Sequence, residues 1–181
     1  MPESRAIRRL RADYRPEVVR VLLVGESAPA GGTHYYLANS ILFSAVRQAF
    51  TLVYGARTPL GEEFLGLARD AGVWLVDLAA EPVNHMAPTD RRRLVKAGAR
   101  RVTRQIRETS PQFVVAIKAT IAGAVAECVE RSGSTAELVA LPFPAMQGRW
   151  RFVEGLATVI RRARRSAAAA VPKRPVGTTD A

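Results

Sequence analysis

The chain predicts an α/β fold: a three-layer α/β/α sandwich around a central, mostly parallel four-stranded sheet. Three observations carry this. Short apolar runs at 18–24, 73–78, 113–117 and 138–141 recur through the sequence. The runs at 18–24 and 113–117 are almost continuously apolar rather than alternating, which marks strands buried on both faces. Helical patterns lie between successive runs, so the strands are joined by crossovers and run parallel. A length of 181 residues suits one domain with a sizeable core. With 48% hydrophobic and 24% charged residues, the composition is that of a globular chain rather than a disordered one.

Residues 3–14 read as a helix. Arg8, Arg9 and Arg11 surround Ile7, Leu10 and Tyr14, and Pro16 ends the segment. Residues 1–16 are thus a basic N-terminal arm or helix ahead of the domain at 17–165. The first strand, Val18–Val24, runs into Gly25-Glu26-Ser27 and a loop of alanine, proline and glycine. Tyr35 to Phe50 follows as a helix with Thr33 as its cap. Thr51–Tyr54 is a short β-prone piece, and Thr58-Pro59 opens a helix to about Arg69. Glu62 and Glu63 lie in its early turns, where the helix dipole favours acids.

The second strand, Val73–Leu78, carries Asp77 near its end, and the loop after it holds Glu81, Asn84 and His85. Pro88-Thr89-Asp90 opens a long helix to Glu108 with Leu94, Val95, Ala99, Val102 and Ile106 as its apolar stripe. Strand three, Phe113–Ile117, leads into a helix over 119–131 rich in small residues. Strand four, Leu138–Leu141, ends in Pro142-Phe143-Pro144, and the last helix runs from Arg149 to about Arg165. Residues 166–181, low in complexity and with two prolines, are expected to be a disordered basic tail.

The net charge is +11, of which the last 21 residues carry +5. The remainder is still basic, which suits a polyanion such as DNA, although arginine-rich surfaces also arise without one. Eight bases lie on the helix after strand two, among them Arg93, Lys96, Arg100 and Arg104, and only Asp90 and Glu108 oppose them. That helix forgoes most i,i+4 pairs, each worth about 0.2–0.5 kcal/mol, and a phosphate-facing role explains this better than a solvated face. The single cysteine, Cys128, excludes an intrachain disulfide or a cysteine-held cluster. No metal or cofactor is expected. The N-terminus lacks the apolar core of a signal peptide, and no run of about 18 apolar residues spans a membrane. The reading is a cytoplasmic monomer.

The four strand ends read GESAPA, VDLAAEP, VAIKA and LPFP. Their order and spacing over residues 18–160 resemble the uracil-DNA glycosylase superfamily. That resemblance implies a four-stranded parallel sheet with helices on both faces and hydrolysis of the N-glycosidic bond of a deaminated or damaged base in DNA. It implies that Gly25, Glu26 and Ser27 form the loop that positions water, with Pro29 displaced by Ala28. Tyr35 or Tyr36 would stack on the flipped base, and a residue between Asp77 and Asn84 would read it. The late His-Pro-Ser type loop is replaced by Leu141-Pro142-Phe143, so its histidine is missing. Lys118 stands where the family commonly has glycine.

N-glycosidic cleavage passes through a cationic sugar and an anionic leaving base, after the base has left the stack. Glu26 can hold the water, or can simply shape the loop by accepting backbone N–H groups. His34 and His85 are the candidates for the missing donor. Tyr35 and Tyr36 either stack on a base or pack the core. Phe143 is a wedge for the duplex or a loop anchor, with Arg149 and Arg151 nearby for phosphates. The alternative function is a catalytically silent module that binds nucleic acid or a nucleobase through the same pocket. A nucleotide-binding α/β protein is a third reading, against which the first loop lacks G-x-G-x-x-G or G-K-[ST].

Overall fold

Four parallel strands form one sheet in the order β2-β1-β3-β4. They are β1 (Val21–Gly25), β2 (Val73–Asp77), β3 (Phe113–Ile117) and β4 (Glu137–Leu141). This computed structural model describes residues 5–169. All residues of β1, β2 and β3 are buried, as their apolar runs require. β4 is an edge strand, and only Leu141 in it is buried. The sheet is therefore wholly parallel.

Six α-helices flank it among the described residues: α1 (Arg5–Asp13), α2 (Ile41–Tyr54), α3 (Gly61–Asp70), α4 (Pro88–Thr109), α5 (Ala122–Ser132) and α6 (Gly148–Ala169). α2 packs on α6 and α4 on α5, consistent with the outer layers of a three-layer sandwich. Cys128 is buried between α5 and α4, its Sγ 3.5 Å from the Ala99 carbonyl. No described helix is long and apolar enough to cross a membrane.

Several expected boundaries move. Tyr35–Leu37 is a single 3-10 turn that stops at Ala38, where φ is 55°. The following helix starts only at Ile41, and its cap is Ser40, which accepts the Phe43 N–H at 3.1 Å, rather than Thr33. Thr51–Tyr54 is the last turn of α2 and not a β segment. There the helix, packed against α6, overrides β-branched propensity. α3 begins at Gly61, and α6 continues through Ala169, so 166–169 is helix. The rest of the expected disordered tail, 170–181, lies outside the described residues.

The basic N-terminal segment is fastened to the domain. Ile7 on α1 is buried, the Trp74 indole N–H donates to the Arg11 carbonyl at 3.2 Å, and the Arg11 guanidinium reaches Asp77 at 3.1 Å. β2 is the other edge strand, and α1 is thereby tied alongside it. Covering an edge strand in this way removes the hazard of its pairing with a second chain.

Candidate functional site

After β1 the chain steps to one side of the sheet for β2, then returns past β1 to place β3 on the other. Such a switch leaves a crevice outside the carboxyl ends of the two diverging strands, where open α/β sheets bind ligands. A cavity of about 390 Å³ opens there, within the range of small-molecule sites. It receives Gly25 and Glu26 from the end of β1, Leu75 and Asp77 from β2, and Ile117 and Lys118 from β3. His34 and Tyr35 come from the segment before α2, Asn84 from the loop before α4, and Phe143 from the loop after β4.

Backbone bonds fix the first two loops to each other. The Leu78 N–H donates to the Gly25 carbonyl at 2.9 Å and the Ala79 N–H to the Glu26 carbonyl at 2.8 Å. The Ser27 hydroxyl accepts the Val83 N–H at 3.2 Å, so Ser27 joins the loops as well as lining the cavity. Gly25 is required for proximity: a Cβ there would lie 2.4 Å from Asp77 Oδ1. Any larger residue would displace the acid.

Two polar clusters result. In the first, Arg91 in the first turn of α4 grips both carboxylate oxygens of Glu26, and the Lys118 ammonium sits 3.0 Å from Oε2. Burial raises the Glu26 pKa, but the hydrogen bonds and charges of Arg91 and Lys118 outweigh it, and the net shift is downward. Glu26 is thus ionised at neutral pH. The same pairing raises the pKa of Arg91.

The second cluster surrounds Asp77, which is buried. Arg11 holds its Oδ2 at 3.1 Å, and His34 Nε2 lies 3.9 Å from the same oxygen. His34 is buried and its Nδ1 accepts the Tyr36 N–H at 3.2 Å, so in the neutral ring the proton sits on Nε2, on the side of Asp77. The chain thus brings Glu26, His34, Tyr35, Asn84, Gly25 and Ser27 to one cavity.

Two candidates are corrected. His85 is exposed and lies off the cavity lining. Tyr36 is buried behind the cavity wall, and its hydroxyl donates to the Leu75 carbonyl at 2.9 Å and accepts the Leu75 N–H at 3.0 Å. It is a core residue that satisfies the outer edge of β2. Tyr35 is the tyrosine of the cavity. Its hydroxyl makes no hydrogen bond among the described residues, and burial pushes its pKa up.

The outer surface sorts the basic residues. On α4, Arg92, Arg93, Lys96, Arg100 and Arg104 are exposed. Arg101 instead donates to the Asp77 and Leu78 carbonyls at 2.8 and 3.1 Å, and Arg107 to the Arg131 carbonyl at 3.1 Å. Arg93 and Arg104 make only loose exposed pairs, with Asp90 at 3.5 Å and Glu108 at 3.7 Å. Arg149 is not a free surface cation: it donates to Ser44 at 2.9 Å and Gln48 at 3.2 Å, joining α6 to α2. Arg151 is exposed. Phe143, 45% exposed, stands beside the cavity, and the same loop and the start of α6 expose Met146 and Trp150.

Leu141, where the resemblance expects histidine, is buried, its side chain 2.5 Å from the place a Cβ on Gly155 would take. It serves the packing of β4 on α6. In the sequence Arg91 counts only among the phosphate-facing bases of its helix, Arg11 only among those of the N-terminal segment, and Lys118 only as a departure from glycine; their pairing with Glu26 and Asp77 is not marked there. Position supplies the signal for Arg91: it opens a helix that returns over the strand ends. No family model matches the chain, and no curated protein matches it at a significant level.

Proposed function

We propose that the protein is a DNA glycosylase-like enzyme that takes a single deaminated or damaged base into this cavity and hydrolyses its N-glycosidic bond. The observation that supports the reading most is convergence: an ionised acid, a buried aspartate beside a histidine, and a tyrosine whose hydroxyl makes no hydrogen bond among the described residues meet in one cavity at the strand switch point. Its other walls, among them Leu75 and Ile117, are apolar, as a base's faces require.

Each group has work to do in such a reaction. The ring of Tyr35 offers a stacking face, and Asp77 and Asn84 offer acceptors for base N–H groups. Glu26 Oε1 receives one bond, from Arg91, and a carboxylate oxygen has two acceptor sites. The second is open to a water. Glu26 orients that water and stabilises the positive charge that grows on the sugar, rather than acting as a strong base, since its pKa is lowered. Exposed arginines of α4 meet the phosphates, and Phe143 fills the gap left in the duplex.

The test is incubation of the protein with duplexes carrying uracil, hypoxanthine or a mismatch, beside Glu26→Gln. Wild type is expected to leave an abasic site, and the variant to be slower by roughly 100-fold or more. Unchanged cleavage by Glu26→Gln removes the assigned role. Binding of the duplex without any abasic product selects the second reading, a silent module of the same fold. The burial of Leu141 favours that reading, because the late loop then supplies no donor.

DNA binding has its own measurement. Affinity is expected to fall steeply with salt. Replacing Arg93, Arg100 and Arg104 by alanine should flatten the log–log slope by about 0.9 for each phosphate that is no longer neutralised. A slope equal to wild type assigns those arginines to solvent.

A further inference from the structure

Lys118 differs from its neighbours in backbone and in charge. Its φ of 105° and ψ of 126° lie where residues other than glycine are strained. The surroundings hold it there: the Lys118 N–H donates to the Leu141 carbonyl at 2.8 Å, and the Ile121 N–H to the Lys118 carbonyl at 3.2 Å. Glycine would suit this position, yet a lysine occupies it and lines the cavity. Strain of this kind persists at sites where a side chain has a task.

The charges sharpen the point. Arg91 alone neutralises Glu26, holding both of its oxygens. Lys118 is a second cation on the same acid, so the three groups sum to one surplus positive charge. It is the one lysine or arginine among the described residues that line the cavity. An ammonium has three N–H donors, and Glu26 Oε2 takes one at 3.0 Å, which leaves two. Surplus positive charge opposes a cationic sugar, and it favours a transition state in which negative charge grows on the ligand.

We propose that Lys118 is the residue that receives the negative charge of the departing base, the role for which the loop at Leu141 has no donor. This rests on the reading of the cavity as a base pocket. In the step, the bond from the sugar C1′ to the base nitrogen breaks and its electron pair stays on the base. The oxygen of water bonds to C1′ and gives one proton to solvent. The two free N–H groups of Lys118 hold the base anion, which takes one proton from solvent as it leaves. The sum is hydrolysis, and Lys118 stays an ammonium throughout.

Two measurements separate the role of Lys118 from the pocket reading. The first is calorimetric titration with free uracil and with 5-nitrouracil at a pH where the latter is anionic. Wild type is expected to prefer the anion, and Lys118→Met to lose that preference by roughly 10- to 100-fold. If neither base binds wild type, the pocket reading fails and the role of Lys118 fails with it. If both bind and Lys118→Met changes neither, the pocket reading stands and the role of Lys118 is overturned.

The second measurement is single-turnover cleavage of DNA carrying uracil or 5-fluorouracil. Lys118→Met and Lys118→Gly, the latter suited to the backbone, are each expected to slow uracil release by roughly 100-fold. The loss on 5-fluorouracil should be distinctly smaller, because the more acidic base needs less help to leave as an anion. Equal losses on the two substrates would assign Lys118 to pocket shape and overturn the proposal.

Discussion

Gly98→Ala is expected to destabilise the protein by about 3 kcal/mol or more, a backbone clash at the upper end of overpacking. Gly98 lies in the middle of α4, where alanine would ordinarily be the better residue by about 1 kcal/mol. Here a Cβ would fall 1.5 Å from the Leu78 carbonyl oxygen and 2.5 Å from its carbon. Both are backbone atoms, so no side chain can turn aside and the helix itself must move. That shift acts on the site. Arg91 lies two turns earlier on α4 and grips Glu26, and Arg101 donates to the carbonyls of Asp77 and Leu78. Urea unfolding measures the loss of stability. Gly66→Ala is the control, since a Cβ at Gly66 in α3 meets nothing within 4 Å, and alanine there should add about 0.5–1 kcal/mol. A Gly98→Ala protein as stable as that control would refute the close seating of α4 on the end of β2.

Such a close approach is invisible in a sequence read segment by segment. The strands were legible because burial on both faces writes itself as continuous apolar runs, most plainly in Val21–Val24 and Phe113–Ile117. Helix existence was equally plain, whereas local ends were not. Thr51–Tyr54 looks β-prone in isolation, and the outcome was decided by α6 packing on α2. Glu26, His34, Tyr35 and Asn84 could be placed together because strand ends of a parallel sheet share one edge. Their partners could not. Arg91 and Lys118 meet Glu26 across separations of 65 and 92 residues, and the positive φ of Lys118 leaves no mark in composition. His85 shows the converse: a loop beside the right strand end still carries a side chain away from the cavity.

The pair Tyr35 and Tyr36 was the least decidable in sequence, since a base-stacking and a core tyrosine have the same spacing and neighbours. Substitution by phenylalanine separates them, because it keeps the ring and removes only the hydroxyl. Tyr36→Phe is expected to cost about 2–4 kcal/mol. Its hydroxyl is at once donor to the Leu75 carbonyl and acceptor from the Leu75 N–H, at 2.9 and 3.0 Å. Leu75 is 2% exposed on an edge strand, so both backbone groups would be left without a partner. Tyr35→Phe removes a hydroxyl with no hydrogen bond among the described residues, and stability should stay within about 0.5 kcal/mol. Once folded, Tyr36→Phe should give the same titration with free uracil as wild type, whatever that is, since its ring lies off the cavity lining. Denaturant midpoints measure the first contrast, and exchange of the Leu75 amide locates it, with protection lost in Tyr36→Phe alone. A Tyr36→Phe protein with wild-type stability and a protected Leu75 amide would mean that the edge of β2 is satisfied without the tyrosine, and would reopen a ligand role for that ring.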